Sequence, residues 1–271
     1  MHAVRLKTEH LNNPIGVDFT ASCLFWNCEG GKKQTAYQII AENDAGTILW
    51  NSGKMKSSSM RAKWGGKRVP PKTKVLWKVR LWDESDAVGD WAESIFETGI
   101  DLWKAKWITG NYRANKKDRY PVDCFRKTFT VSGIQKSRLY ITACGLYEAK
   151  LNGQRIGDFI LAPGITDYRK RVQYQTYDVT KLLQSGENAL TVQLADGWYR
   201  GSTGAWGLKN QYGTETKLLA QLEITHTDGS VQTVVTDESW DWSNDGAIRF
   251  ADNKDGEVVN ASSVPSYQGK A

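Results

Sequence analysis

The stretch KVLWKVRLWD, residues 74–83, decides the reading of this chain. Val75, Trp77, Val79 and Leu81 fall on one face, and Leu76, Lys78, Arg80 and Trp82 on the other. A period of two belongs to a half-buried strand, because successive side chains of an extended backbone point to opposite sides of a sheet. The flanking segments read the same way. TAYQIIAE (35–42), GTILWNSG (46–53) and WAESIFETG (91–99) are rich in β-branched and aromatic residues, and AENDAG and DESDAVGD between them supply the Asn, Asp, Ser and Gly of hairpin turns. Short strands at this spacing predict an immunoglobulin-like or fibronectin-III-like sandwich over residues 1–102.

The second half repeats the style without repeating the sequence. CFRKTFTV (124–131), SRLYITA (137–143), LYEAKLNGQRIG (146–157), ALTVQLADGWY (189–199), TKLLAQLEITHTDG (216–229) and SVQTVVTD (230–237) all read as strands. Asn152-Gly153 and Asp228-Gly229 are two-residue hairpin signals. YDVTKLLQSGENAL (177–190) predicts a short helix, with Thr180 as its cap, Leu182 and Leu183 facing inward and Gly186 ending it. An all-β chain results, its second domain a jelly-roll double sheet over residues 103–265, with the boundary near DLWKAKW (101–107) and residues 266–271 as a tail. The polar, turn-rich end DNKDGEVVNASSVPSYQGKA (252–271) reads as the place where a longer chain is cut.

Composition removes several function classes. In 271 residues, 36 Lys and Arg face 30 Asp and Glu, and the net charge of +6 is spread without a block of like charges, so no nucleic-acid partner is expected. The cysteines, Cys23, Cys28, Cys124 and Cys144, and the histidines, His2, His10 and His226, show no zinc spacing; Cys124 and Cys144 lie in apolar strand context and are expected as buried free thiols. MHAVRLKTEHLNNPIG lacks the apolar core of a signal peptide, and no membrane-spanning run occurs. The chain is expected to be soluble and untargeted as it stands, with a periplasmic or secreted parent left open.

One stretch points to function. ADGWYRGSTGAWGLKNQYG (195–213) gathers Trp198, Tyr199, Trp206 and Tyr212 with Asp196 and Arg200 among Gly197, Gly201, Gly204, Gly207 and Gly213. Each glycine costs about 1 kcal/mol in a helix interior, so the stretch is expected to be a loop or strand ends joined by loops. Flat rings beside a few polar groups suit a sugar or another domain; the same rings could also cap a core. If Trp198 and Tyr199 lie in a strand, only one can face inward. Trp206, between Ala205 and Gly207, has the better claim to exposure. Arg200 can direct a forked pair of hydrogen bonds to a sugar diol or to an internal carboxylate, and Asp196 can serve as a turn residue.

Extended matches carry a family resemblance. GLYEAKLNGQRIGDFILAPGITDYRKRVQYQTYDVTKLLQSGENALTVQLADGWYRG (145–201) and YGTETKLLAQLEI (212–224) resemble the jelly-roll domain that precedes the catalytic barrel in bacterial α-L-rhamnosidases of glycoside hydrolase family 78. QTAYQIIAE, LWNSGKM, WKVRLWDESD and FETG resemble the fibronectin-like module at the start of those enzymes. The resemblance implies an N-terminal accessory region, a fibronectin-III-like sandwich followed by a galactose-binding-like jelly roll. It places inverting hydrolysis of α-L-rhamnosyl linkages in a helical barrel, where an acid and a base stand about 6.5–9.5 Å apart. These residues contain no such barrel, so no catalytic residue is expected here and the partner is the catalytic domain of the same protein.

Some jelly rolls of this family bind L-rhamnose through calcium, a cation that takes about six to eight oxygen ligands. The candidate ligands here are Asn152, Asp255 and Glu257, and the hairpin Leu151-Asn152-Gly153 lacks the aspartate of the expected pair. Three readings follow. The chain is a docking region that uses Asn152, Asp196, Trp198, Tyr199, Arg200, Trp206 and Tyr212 as contacts; or the same residues bind rhamnose-containing glycans, with or without calcium; or it is itself a hydrolase using Asp237 and Glu238, or Asp255 and Glu257 set about 7 Å apart on one strand face.

Overall fold

Strand Lys74–Trp82 lies between Ala36–Asn43 and Ala92–Thr98 in a six-stranded sheet. Its alternation holds: Val75, Trp77, Val79 and Leu81 are fully buried. The computed structural model describes residues 1–18 and 22–271, divided into two units, Met1–Leu102 and Trp103–Ala271. In the first unit a three-stranded sheet, His2–Thr8, Cys23–Glu29 and Arg61–Lys63, supplies the second layer of the sandwich. Trp26 fills the core beside Tyr37, and its indole nitrogen donates to Gln34 Oε1 at 2.9 Å. Burying that polar handle is tolerated because it has a partner.

The second unit packs two sheets over one core. A six-stranded sheet runs Gln154–Arg155, Leu146–Leu151, Gly186–Ala195, Asp123–Val131, Asp241–Ser243 and Gly269–Lys270; a four-stranded sheet runs Gln175–Asp178, Ile134–Cys144, Lys217–His226 and Val231–Val235. Phe125, Leu139, Ile141, Leu151, Leu194, Leu218 and Trp240 fill the space between them. Asn152 and Gly153 both take positive φ, 52° and 79°, as a two-residue primed turn requires. Cys124 and Cys144 are buried free thiols. Among the described residues no helix is long and apolar enough to cross a membrane.

Three local expectations are corrected. The helix over 177–190 shrinks to a single 3-10 turn, Thr180–Leu182. Thr180 does not cap it: its hydroxyl accepts from the Ser137 backbone N–H at 2.8 Å and donates to Asp178 Oδ1 at 2.6 Å. The residues beyond it pair as a strand from Gly186 onward. The strand over 189–199 stops at Ala195, and a one-turn helix, Gly197–Arg200, follows with Gly197 at φ 53°. Residues 266–271, read as a tail, include a short strand, Gly269–Lys270, opposite Asp241 and Trp242, and upstream of it Ile248–Asp252 and Gly256–Val259 form a hairpin.

Trp77→Ala will lower the stability of the first unit by about 3–5 kcal/mol, the cost of truncating a fully buried large aromatic. Its denaturant midpoint in equilibrium unfolding checks this.

Candidate functional site

The aromatic stretch is a loop with a locked base and an open tip. Asp196 ends up beside Arg200 because one helical turn brings positions four apart onto one side. Arg200 Nε donates to Asp196 Oδ1 at 2.7 Å, and a second guanidinium nitrogen lies 2.6 Å from the same oxygen. Both side chains are nearly inaccessible, at 4% and 10% exposure, so this is an ion pair removed from water. Burial pulls the Arg200 pKa down, and the neighbouring Asp196 and Tyr112 more than restore it, so the net shift is upward. Gly201, next in sequence, admits no side chain: a Cβ there would lie 2.2 Å from Asp252 Oδ2.

The ion pair extends inward through Tyr112. Arg200 Nη1 donates to the Tyr112 hydroxyl at 2.7 Å, and that hydroxyl donates to Asp123 Oδ2 at 3.2 Å. Asp123 is fully buried and also accepts from Thr216 Oγ1 and Trp242 Nε1, each at 2.9 Å. Burial pushes the Asp123 carboxyl up from its ordinary range, and these donors offset part of that. Burial and the facing Asp123 likewise raise the Tyr112 phenol, which therefore stays protonated and can donate. The rings of Tyr112 and Tyr120 lie 4.8 Å apart, with the Arg200 guanidinium 5.1 Å from the Tyr120 ring.

A second anchor comes from the hairpin 248–259. Asp252 Oδ2 accepts the Ser202 backbone N–H at 2.7 Å, and its other oxygen accepts the N–H groups of Lys254 and Asp255. Asp255 accepts from Ser202 Oγ at 2.6 Å and pairs with Arg119, which together lower its pKa. The tip itself is a small hairpin closed by reciprocal Thr203 and Leu208 backbone bonds at 2.9 and 3.0 Å. Trp206 rides on it at 88% exposure. The hairpin over 248–259 also borders an apolar cleft of about 500 Å³, lined by Phe159, Ile160 and Leu161 together with Glu148, Arg155 and Glu257.

The residues singled out from sequence have separate places. Trp198 is half-buried, and Tyr199 and Tyr212 stack at 6.3 Å with Tyr168 edge-on to Tyr199. Arg200 uses its fork on an internal carboxylate, Asp196, which is a buried ion-pair partner and not a turn acceptor. Asn152 is engaged inside the fold: its amide nitrogen donates to Leu182 O and Asn188 Oδ1, and its oxygen accepts from Ala189 N–H. Asp255 and Glu257 do not share a strand, since Asp255 lies in the turn and Glu257 in the returning strand Gly256–Val259. Asp237 and Glu238 are likewise in a turn, the first accepting from Ser239 and the second pairing with Lys106. Among the described residues no three His, Cys, Asp or Glu side chains gather to hold a metal. Tyr112, Asp123 and Asp252 went unseen because they lie dozens of residues from the loop, where no local spacing could reveal them.

An immunoglobulin-like sandwich, then a jelly roll carrying a locked aromatic loop, define a β-sheet accessory region. The description "Alpha-L-rhamnosidase N-terminal domain" matches residues 132–268, and "Rha78A-like, N-terminal immunoglobulin domain" matches residues 3–101. This chain belongs to the α-L-rhamnosidase N-terminal domain family. An α-L-rhamnosidase of Formosa agariphila is 34% identical over 94% of the chain, and one of Alteromonas sp. 37% identical over 94%. The chain spans only 30% of the length of either relative. The structure of α-L-rhamnosidase from Dictyoglumus thermophilum covers 100% of the chain with a TM-score of 0.85 at 34% identity, the chain corresponding to 34% of that protein.

Arg200→Met will strand Asp196 and destabilise the second unit by about 3–5 kcal/mol, measured by denaturant unfolding. The raised Asp123 pKa fixes a sign as well. Below about pH 4 folded and unfolded forms are both protonated there and the contribution is fully present; as pH rises through the native pKa it is lost. Wild type is therefore expected to lose stability relative to Asp123→Asn as pH is raised from about 4 to 7, read from paired unfolding curves.

Proposed function

We propose that this chain is a non-catalytic, docking and structural part of a longer α-L-rhamnosidase, and that its aromatic loop packs against the catalytic portion of that enzyme. The longer protein hydrolyses terminal α-L-rhamnosyl linkages with inversion, and the carboxylates for that reaction lie outside these residues. One observation carries the docking reading: an indole at 88% exposure stands on a loop whose base is held by a buried ion pair. A large ring exposed on a rigid support is the usual form of an interface anchor. The candidate carboxylates support the non-catalytic reading, since Asp255 is engaged with Ser202 and Arg119.

A second reading, binding of a rhamnose-containing glycan, draws on the cleft. Its apolar wall of Phe159, Ile160 and Leu161 with Glu148, Arg155 and Gln193 close by has the composition of a small-ligand site. The side-chain oxygen of Asn152 and Oδ2 of Asp255, on two of the three candidate calcium ligands, are engaged within the protein, which favours a calcium-free form of this reading.

The two are separated by one set of measurements on the purified chain. It is expected to release no p-nitrophenol from p-nitrophenyl α-L-rhamnoside, to give no saturable heat with L-rhamnose with or without calcium, and to self-associate in sedimentation, with Trp206→Ala reducing that association. Saturable L-rhamnose binding would move the conclusion to the glycan reading, and turnover would overturn both.

A further inference from the structure

The immunoglobulin-like unit carries a basic hollow that neither the fold nor the docking reading uses. Lys7, Phe25 and Arg61 are register partners across the three-stranded sheet, so they stand side by side on one face. Cross-strand neighbours of like charge are ordinarily avoided because they repel; here an aromatic ring on the central strand separates two cations on the outer strands of the same row. The strand His2–Thr8 adds a third. A register shift between Val4 and Lys7 inserts one extra residue, and Arg5 takes φ 51°, in the left-handed region. Bulges of this kind re-aim side chains. Leu6 packs against the core while Arg5 and Lys7 both line the hollow.

The remaining walls suit a ring-bearing anion. His10 lies over Phe25 with centroids 4.0 Å apart, and Asn27 and Ser59 add neutral hydrogen-bonding groups to a space of about 530 Å³. Among the described residues no carboxylate lines it. The neighbouring carboxylates have other partners: Glu9 accepts the Cys23 backbone N–H, and Glu29 lies 3.6 Å from His2.

We propose that this hollow binds an anionic saccharide, the charged substituent held by Arg5, Lys7 and Arg61 and a sugar ring set against the Phe25 and His10 rings. Arg61 and Arg5 present forked donors that fit either a sulfate or a carboxylate group, and Lys7 adds a point charge. The anion is argued from the hollow alone; that a saccharide carries it rests on the α-L-rhamnosidase reading above. The site is remote in sequence from the aromatic loop and calls for none of its residues.

Affinity electrophoresis of the purified chain through gels containing dextran, dextran sulfate or polygalacturonate tests it, the last two separating sulfate from carboxylate. Wild type is expected to be retarded by at least one anionic polymer and not by dextran. Lys7→Gln/Arg61→Gln should weaken that binding at least about tenfold, since each charge-assisted contact carries roughly that factor. The control Lys32→Gln/Lys33→Gln, which removes the same charge from exposed positions of the same unit, should bind like wild type. Arg5→Gln tests the bulge separately, and circular dichroism verifies that each variant is folded. Absence of retardation by both anionic polymers, or equal weakening in the two double variants, would overturn the proposal, the second by showing diffuse charge instead of a site. Rhamnoside turnover by the longer enzyme is read in parallel: turnover without retardation removes the anion site and leaves the rhamnosidase reading intact, whereas retardation without turnover supports the site and removes that reading.

Discussion

The buried pair Asp196–Arg200 is the constraint on which the candidate site depends. A charge taken from water is tolerated only when paired and hydrogen-bonded, and this pair reaches Tyr112, Asp123, Thr216 and Trp242 through a continuous chain of donors and acceptors. Each member restricts the next. Arg200 fixes the helical turn at the end of strand Gly186–Ala195, Asp123 fixes the start of strand Asp123–Val131, and Trp242 ties in a third strand of the same sheet. A glycine-rich loop that would otherwise lose much conformational freedom on ordering is thereby fastened at its base, while Gly204, Ala205 and Trp206 at its tip stay exposed.

Asp252 performs the same task from the other side. Its two oxygens take one N–H from the loop and two from its own turn, so the terminal hairpin and the loop are positioned by one carboxylate. The close fit at Gly201 leaves no room for a side chain between them. The exposed Trp206 belongs to a surface whose supports are internal: the tip can be altered with small structural cost, the base cannot.

Much of the fold was legible because strands announce themselves by period. The alternation in 74–83 and the Asn152-Gly153 turn determine sheet face and hairpin from a few adjacent residues, and both are found as read. What failed were elements decided by distant partners. Thr180 reads as a helix cap from local spacing, yet its hydroxyl accepts from the backbone N–H of Ser137, in the strand Ile134–Cys144. Trp198 and Tyr199 read as strand because the apolar run continues into them, but the ion pair bends the chain into a helical turn first. The aromatic loop itself could be located from its glycines and rings. Its supports could not, since Tyr112 and Asp123 lie far from Arg200 in sequence and are joined to it only by side-chain hydrogen bonds of the folded chain. Asn152 shows the converse: its turn signal was correct, and its side chain is employed in holding that turn to Leu182 and Asn188.

Amide hydrogen exchange resolved by residue tests the locked-base, open-tip account most directly. Ser202 and Asn210, whose N–H groups bond to Asp252 and to the Arg200 carbonyl, are predicted to be protected like neighbouring strand amides, while Ala205 and Trp206 exchange freely. Uniformly rapid exchange across 197–213 would contradict it, because an unfastened loop could present no surface of fixed shape.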